Sequence, residues 1–174
     1  MRVVKTLADI ALWRRGPADL PESAWLLGVA MALYFIQSCV QSRLMTHDDG
    51  SLVAAIVDLC VSSGLIVALL FAARRAARAP QTLLALLGTE VLLAPAVIAL
   101  LLGQGTLGAA EPIGQLLRLL LLVLIVWDRL IAAHVLRCAF DVSLGAGIAL
   151  SLATAVAGYL FASWLSPLPA PARI

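Results

Sequence analysis

The 174-residue chain is 63% hydrophobic and 13% charged, and its mean hydropathy is +1.04. This leaves too little polar sequence to coat a soluble domain, so the composition predicts an all-α polytopic membrane protein. The net charge is only +2 and the cations are spread along the chain, which excludes the basic face that nucleic acid binding requires.

The first element in chain order is an amphipathic segment, MRVVKTLADIALWRR, at residues 1–15. Its apolar residues recur at helical spacing and charged residues lie between them. We expect a cytoplasmic interfacial helix with its apolar face at the acyl boundary and its Trp and cations at headgroup depth. A Pro-containing linker completes this region, residues 1–23, in which Asp19 and Glu22 have capping-box spacing. The residues assigned to the lipid surface are Arg2, Lys5, Trp13, Arg14 and Arg15.

Five apolar segments follow, each long enough to cross about 30 Å of hydrocarbon, which takes about 20 helical residues. They cover residues 24–42, 52–73, 82–103, 115–136 and 144–165 and form a transmembrane domain at 24–165. The short connections predict that consecutive helices pack as antiparallel neighbours. GQGTLG at 103–108 is predicted to be a loop, and the Pro-rich tail at 166–174 is expected to be extended and exposed.

The Lys and Arg residues predict the orientation, because cytoplasmic loops carry the excess of cations. Nine lie on the side of the N-terminus: Arg2, Lys5, Arg14, Arg15, Arg74, Arg75, Arg78, Arg129 and Arg137. Three lie on the other side: Arg43, Arg118 and Arg173. We therefore expect a cytoplasmic N-terminus and an external C-terminus. The excess of Arg over Lys is typical of GC-rich bacterial genomes, so the expected location is a bacterial inner membrane.

Ionisable residues inside the apolar segments are the strongest pointers to function, because charges at that depth normally pair within the protein. Glu90 and Arg129 lie at similar depths on consecutive segments, which predicts an ion pair between them. Asp128 and Arg129 point about 100° apart on a helix, so we do not expect them to pair with each other. The predicted buried polar network is Asp58, Ser62, Glu90, Asp128, Arg129 and His134.

This network is compatible with a structural role that fixes helix register, with an ion or proton path, and with a binding site. A proton path normally uses several carboxylates or histidines along one route. His134 is a lone histidine near the inner rim, where a satisfied interfacial residue is more common than a relay.

The last apolar segment carries small residues at steps of three and four, which places them on one helical face. Small residues let helix backbones approach closely in a membrane. The stripe therefore predicts close packing, either within the chain or at a seam with another protein or a second copy. Its members are Gly147, Ser151, Ala155, Gly158 and Ala162.

Enzyme signatures such as HExxH, CxxC and a GxSxG with a usable His do not occur in this sequence. The three cysteines, Cys39, Cys60 and Cys138, lie in or near apolar segments and are predicted to be small buried residues. We expect no catalysis, no metal and no cofactor.

The segment VWDRLIAAHVLRCAFDVSLGAGIALSLATAVAGYLFASWL resembles the last two spans of Yip1-family membrane proteins, in which a Trp-bearing helix leads to a short polar loop and a small-residue patch. LWRRGPADLPESAWLLGVAMALYFI is similar to that family's lead into its first span. The resemblance implies a scaffold or accessory subunit that binds lipid, other membrane proteins or itself. The alternative is a small ion- or proton-coupled transporter or channel that uses Glu90, Asp128 and Arg129.

Overall fold

The computed structural model of the protein describes residues 2–46, 51–107 and 111–165; the predicted Pro-rich tail lies outside the described residues. The described residues form six α-helices and two short 3-10 turns. Five of the helices are long and apolar enough to cross a membrane, which confirms an all-α polytopic fold. The helices are α1 (Arg2–Ala11), α2 (Ala24–Thr46), α3 (Ser51–Ala72), α4 (Ala79–Leu107), α5 (Pro112–Phe140) and α6 (Leu144–Leu165).

Helices α4 and α5 are both longer than the sequence predicts, at 29 residues each. The predicted loop at 103–108 is wrong for residues 103–107, which continue α4. Gly103 serves close packing there, because a Cβ on it would lie 3.0 Å from Leu117 Cδ1 of α5. The Thr106 hydroxyl donates to the Leu102 and Gly103 carbonyls, so it is satisfied within this helix.

The chain enters α2 through a 3-10 turn at Pro17–Asp19. The Asp19 carboxylate accepts a hydrogen bond from the Gly16 backbone N–H at 3.0 Å, inside this linker turn. At the helix itself, Ser23 Oγ accepts from the Leu26 backbone N–H at 3.4 Å. The predicted capping box of Asp19 and Glu22 is therefore wrong, because the extra linker turn moves the start of the helix to the residue after Ser23.

Helix α1 packs into the protein instead of lying with its apolar face in lipid. Leu7, Ile10 and Ala11 are buried in a core shared with α4 and α5. The close approach depends on Gly88 of α4, since a Cβ there would lie 2.8 Å from Leu7 Cδ2. The predicted placement of this face at the acyl boundary is wrong, because two helices of the same chain cover it.

Helix α5 packs between α4 and α6. Helix α2 packs on both α3 and α4, and α3 also contacts α6. Most consecutive helices are therefore neighbours, as predicted, but α3 and α4 touch only slightly. This leaves space between these two helices inside the ring of five.

Two arginines that follow α3 hold the end of α5. Arg75 and Arg78 both donate to the Asp141 carboxylate, Arg78 at 2.9 Å, and Arg78 also donates to the Ala139 carbonyl at 3.0 Å. Asp141 ends the helix in the left-handed conformation, with φ of 49°. The hydrogen bonds from Arg75 and Arg78 lower the pKa of Asp141 below its usual range. Cations at this position also complement the negative end of the helix dipole.

The small-residue stripe of α6 packs within the chain where the structure describes it. A Cβ on Gly147 would lie 2.5 Å from the Ala133 carbonyl oxygen of α5. The Ser151 hydroxyl is buried and donates to the Arg129 carbonyl at 2.9 Å. An oligomer seam is therefore wrong for these two residues, which α5 already covers. Ala155 and Gly158 face the interior of the bundle, and the side chain of the last stripe residue lies outside the described part.

We predict that Gly147→Ala destabilises the protein, because the new methyl group would collide with the Ala133 backbone and push α6 away from α5. Overpacking of this kind typically costs about 1–3 kcal/mol. Thermal unfolding of the purified protein in detergent should show a lower midpoint.

The matched control is Gly145→Ala on the same helix, where an added Cβ would have no neighbour within 4 Å. This variant should unfold at or slightly above the wild-type temperature, since alanine favours helix more than glycine does. Equal losses from both changes would contradict close packing at Gly147.

Candidate functional site

A partly open cavity of about 370 Å³ lies among α2, α3, α4, α5 and α6. Its volume is at the lower end of the range for small-molecule sites. Most of its wall is apolar, but every one of the five helices contributes at least one polar side chain. The polar side chains of the wall include Tyr34, Asp58, Ser62, Ser63, Glu90 and Arg129.

The first polar cluster centres on Arg129 of α5. Arg129 Nη2 lies 3.3 Å from Glu90 Oε1 of α4, so the predicted ion pair is present. Arg129 also donates to Asp128, through Nε at 3.0 Å and through Nη2. The expectation that Asp128 and Arg129 would not pair is wrong, because the long guanidinium side chain folds back to its neighbour despite the angle between the two Cα–Cβ bonds.

The second polar cluster joins α2 and α3. The Tyr34 hydroxyl donates to Asp58 Oδ2 at 2.5 Å, and the Ser62 hydroxyl lies 3.5 Å from Asp58 Oδ1. Tyr34 is buried, and sequence reasoning did not find it. The available signal was its place in the middle of an apolar segment, because tyrosines of membrane helices are more common at the interfaces.

Negative groups outnumber positive groups in this region. Asp58 and Glu90 line the cavity beside Arg129, and Asp128 lies behind that arginine. If all four are ionised, this region holds three negative charges and one positive charge. Ser63 adds a buried hydroxyl at the cavity wall, 9% exposed and without a hydrogen-bond partner. The site therefore has unused capacity to accept hydrogen bonds and positive charge.

His134 lies outside this network, contrary to expectation, at the junction of α5 with the N-terminal segment. Its ring stacks on Trp13 with centroids 5.5 Å apart. Nδ1 accepts from Arg137 Nε at 3.2 Å, which leaves Nε2–H to donate to the Arg15 carbonyl at 2.8 Å. Trp13 itself is half-buried, and its Nε1 is buried without a hydrogen-bond partner.

The four predicted surface cations of the N-terminal region remain exposed: Arg2, Lys5, Arg14 and Arg15. Arg15 lies 3.4 Å from Asp9, which ties the end of this segment to α1. Arg2 and Lys5 thus lie on the exposed side of α1, whereas Arg14 and Arg15 follow its end. They are available to a membrane surface even though the apolar face of α1 is not.

The described residues hold no group of three or more His, Cys, Asp or Glu side chains arranged for a metal ion. The three cysteines are free thiols, and none is fully buried, contrary to expectation. Cys60 is exposed on α3, because that position faces away from the bundle.

Comparison of the chain with protein-family models, with curated proteins and with solved structures finds no match. The resemblance of residues 12–36 and 126–165 to the Yip1 family therefore stays a prediction. The cavity and its charges are the features for which a functional proposal has to account.

We predict unequal losses when the Arg129 cluster is broken. Arg129→Leu leaves Glu90 and Asp128 without a cation and should cost roughly 3–5 kcal/mol, as expected for removing one partner of a buried pair. Glu90→Leu leaves Arg129 bound to Asp128 and should cost only about 1 kcal/mol. The apparent melting temperatures in detergent measure both losses.

Arg129→Lys is the control for charge without the planar fork. The single ammonium group of lysine cannot bind two carboxylates as a planar guanidinium does. The stability of Arg129→Lys should therefore fall between those of wild type and Arg129→Leu. A loss from Glu90→Leu as large as that from Arg129→Leu would show that Asp128 does not share the cation.

Proposed function

We propose that the chain is a non-enzymatic integral membrane protein that binds small cations in the central cavity and carries them, or protons, across a membrane. The observation that supports this most directly is the cavity wall with more carboxylates than cations. Negative charge inside a bilayer is costly. Protons or a bound cation would neutralise this negative charge. Transport would then consist of the cavity gaining and losing that proton or cation.

The depth of the site fits this proposal. Glu90 comes eleven residues after the first residue of α4, and Arg129 comes eleven residues before the last residue of α5. At the helical rise of 1.5 Å per residue, both lie about 17 Å from the same end of helices that are about 43 Å long. Cavities that serve transport are typically near the midplane, reachable from each side in turn.

The pairing pattern gives a route from cation binding to movement. The Tyr34–Asp58 bond joins α2 to α3, whereas the Arg129–Glu90 bond joins α4 to α5. A cation bound between Asp58 and Glu90 competes with both bonds. Cation binding would therefore change the packing of the α2–α3 pair against the α4–α5 pair, where α3 and α4 touch only slightly.

We propose a cytoplasmic N-terminus in a bacterial inner membrane. The support is the clustering of cations at one end of the bundle: Arg15 meets His134 and Arg78 meets Asp141 there. An excess of basic residues at one end marks the cytoplasmic side of many membrane proteins. The charge distribution of the whole sequence agrees with this orientation.

A Yip1-like scaffold or accessory subunit, which binds lipid or protein partners without transport, is the second candidate. It is favoured by the internal partners of the cavity charges, Asp58 with Tyr34 and Glu90 with Arg129. A bundle with its charges paired in this way does not need a solute to be stable. The two candidates differ in whether reconstituted protein alone moves cations.

The test uses purified protein in phospholipid vesicles that contain a pH-sensitive dye, with an inside-negative potential. We expect uptake of protons or of radiolabelled tetramethylammonium above that of protein-free vesicles. Asp58→Asn and Glu90→Gln keep the shape of the side chains but remove the charge. Each should lower the flux about tenfold, the effect of losing about 1.4 kcal/mol of cation binding.

Glu22→Gln is the matched control, because it removes one negative charge from an exposed position in the linker. It should leave the flux unchanged. Equal flux with and without wild-type protein would exclude transport and favour the scaffold. Flux that survives both cavity substitutions would exclude the cavity as its path.

Orientation is tested by single cysteines in a background where Cys39, Cys60 and Cys138 are replaced by Ser. An impermeant maleimide added to intact cells should label Glu111→Cys, between α4 and α5. It should not label Ala76→Cys, between α3 and α4. The opposite pattern would reverse the proposed orientation.

A further inference from the structure

A second groove lies at the other end of the bundle from α1, where α2 and α4 end and α5 begins. Its volume is about 640 Å³. Leu44, Leu101 and Leu121 contribute apolar wall, and Gln104 and Arg118 contribute polar groups. It shares no lining residue with the central cavity, so the two are separate sites.

The polar groups of this groove are hydrogen-bond donors. Arg118 is exposed, and in the part of the chain that the structure describes no carboxylate pairs with it. Gln104 Nε2 is buried and has no hydrogen-bond partner. The Thr106 hydroxyl already donates to carbonyls of its own helix. The free donors are therefore a guanidinium and an amide, a combination suited to an anion.

The position of the groove indicates which anion it receives. Arg118 comes six residues after Pro112, about 9 Å along α5 at helical rise, so its long side chain can reach headgroup level from an apolar helix. Leucine side chains continue the groove beside it. A phosphate above an acyl chain matches this order of donors and apolar wall, whereas a free inorganic anion would leave the leucines uncovered.

We propose that this groove binds an anionic phospholipid, with its phosphate on Arg118 and Gln104 and an acyl chain along the leucines. The inference is independent of cation transport, since it concerns other residues and the opposite charge. A lipid at this place would fasten together the ends of α2, α4 and α5. Its expected effect is on lipid affinity and bundle stability, not on the central cavity.

Native mass spectrometry of the detergent-purified protein tests this with added phosphatidylglycerol or phosphatidylcholine. Wild type should retain phosphatidylglycerol in preference to phosphatidylcholine. Arg118→Gln and Gln104→Leu should each weaken retention of phosphatidylglycerol, Arg118→Gln by about tenfold, because a charged hydrogen bond is lost. Arg118→Lys, which keeps the charge, should restore most of it.

Arg43→Gln is the matched control, since it removes a cation at the same end from a residue that does not line the groove. It should retain the lipid as wild type does. Equal loss from Arg43→Gln and Arg118→Gln would overturn the site, as would equal binding of the two lipids. Displacement of phosphatidylglycerol by inorganic phosphate at equal concentration would show a free-anion site and overturn the lipid proposal.

Discussion

The side chain and backbone of Arg129 together link α4, α5 and α6 in the middle of the bundle. Its side chain meets Glu90 of α4 and Asp128 of its own helix, while its backbone carbonyl accepts the Ser151 hydroxyl of α6. A cation between apolar helices is stable only with such partners. Arg129 therefore contacts both neighbours of α5 at one depth of the bundle.

The same constraint leaves Asp58 with neutral partners. Arg129 pairs with Glu90 and Asp128, so Asp58 relies on the hydroxyls of Tyr34 and Ser62. Neutral hydroxyls stabilise a carboxylate less than a cation does. This asymmetry distinguishes the two sides of the cavity: a firmly paired side on α4 and α5, and a weaker side on α2 and α3. The cation binding proposed above would therefore involve Asp58 on the weaker side.

Apolar length predicted the five spanning helices, because the bilayer sets how many apolar residues a span needs. Depth counting predicted Glu90 opposite Arg129, because rise per residue is constant. The Tyr34–Asp58 contact was beyond such reasoning, since it depends on how each helix is rotated, and nearly uniform apolar segments do not encode that rotation. The docking of α1 was missed for a related reason, because an amphipathic face suits lipid and protein equally. The close approach of Leu7 to α4 depends on the absence of a side chain at Gly88.

The docking of α1 also has a consequence for biogenesis. Helix α1 is synthesised before the helices that bury it. His134, which bonds to the Arg15 carbonyl, is made 119 residues after Arg15. During that interval the membrane surface is the available apolar partner for Leu7 and Ile10. The contacts that bury α1 cannot form until α4 and α5 have been made, so burial of its apolar face requires that these two helices are in place.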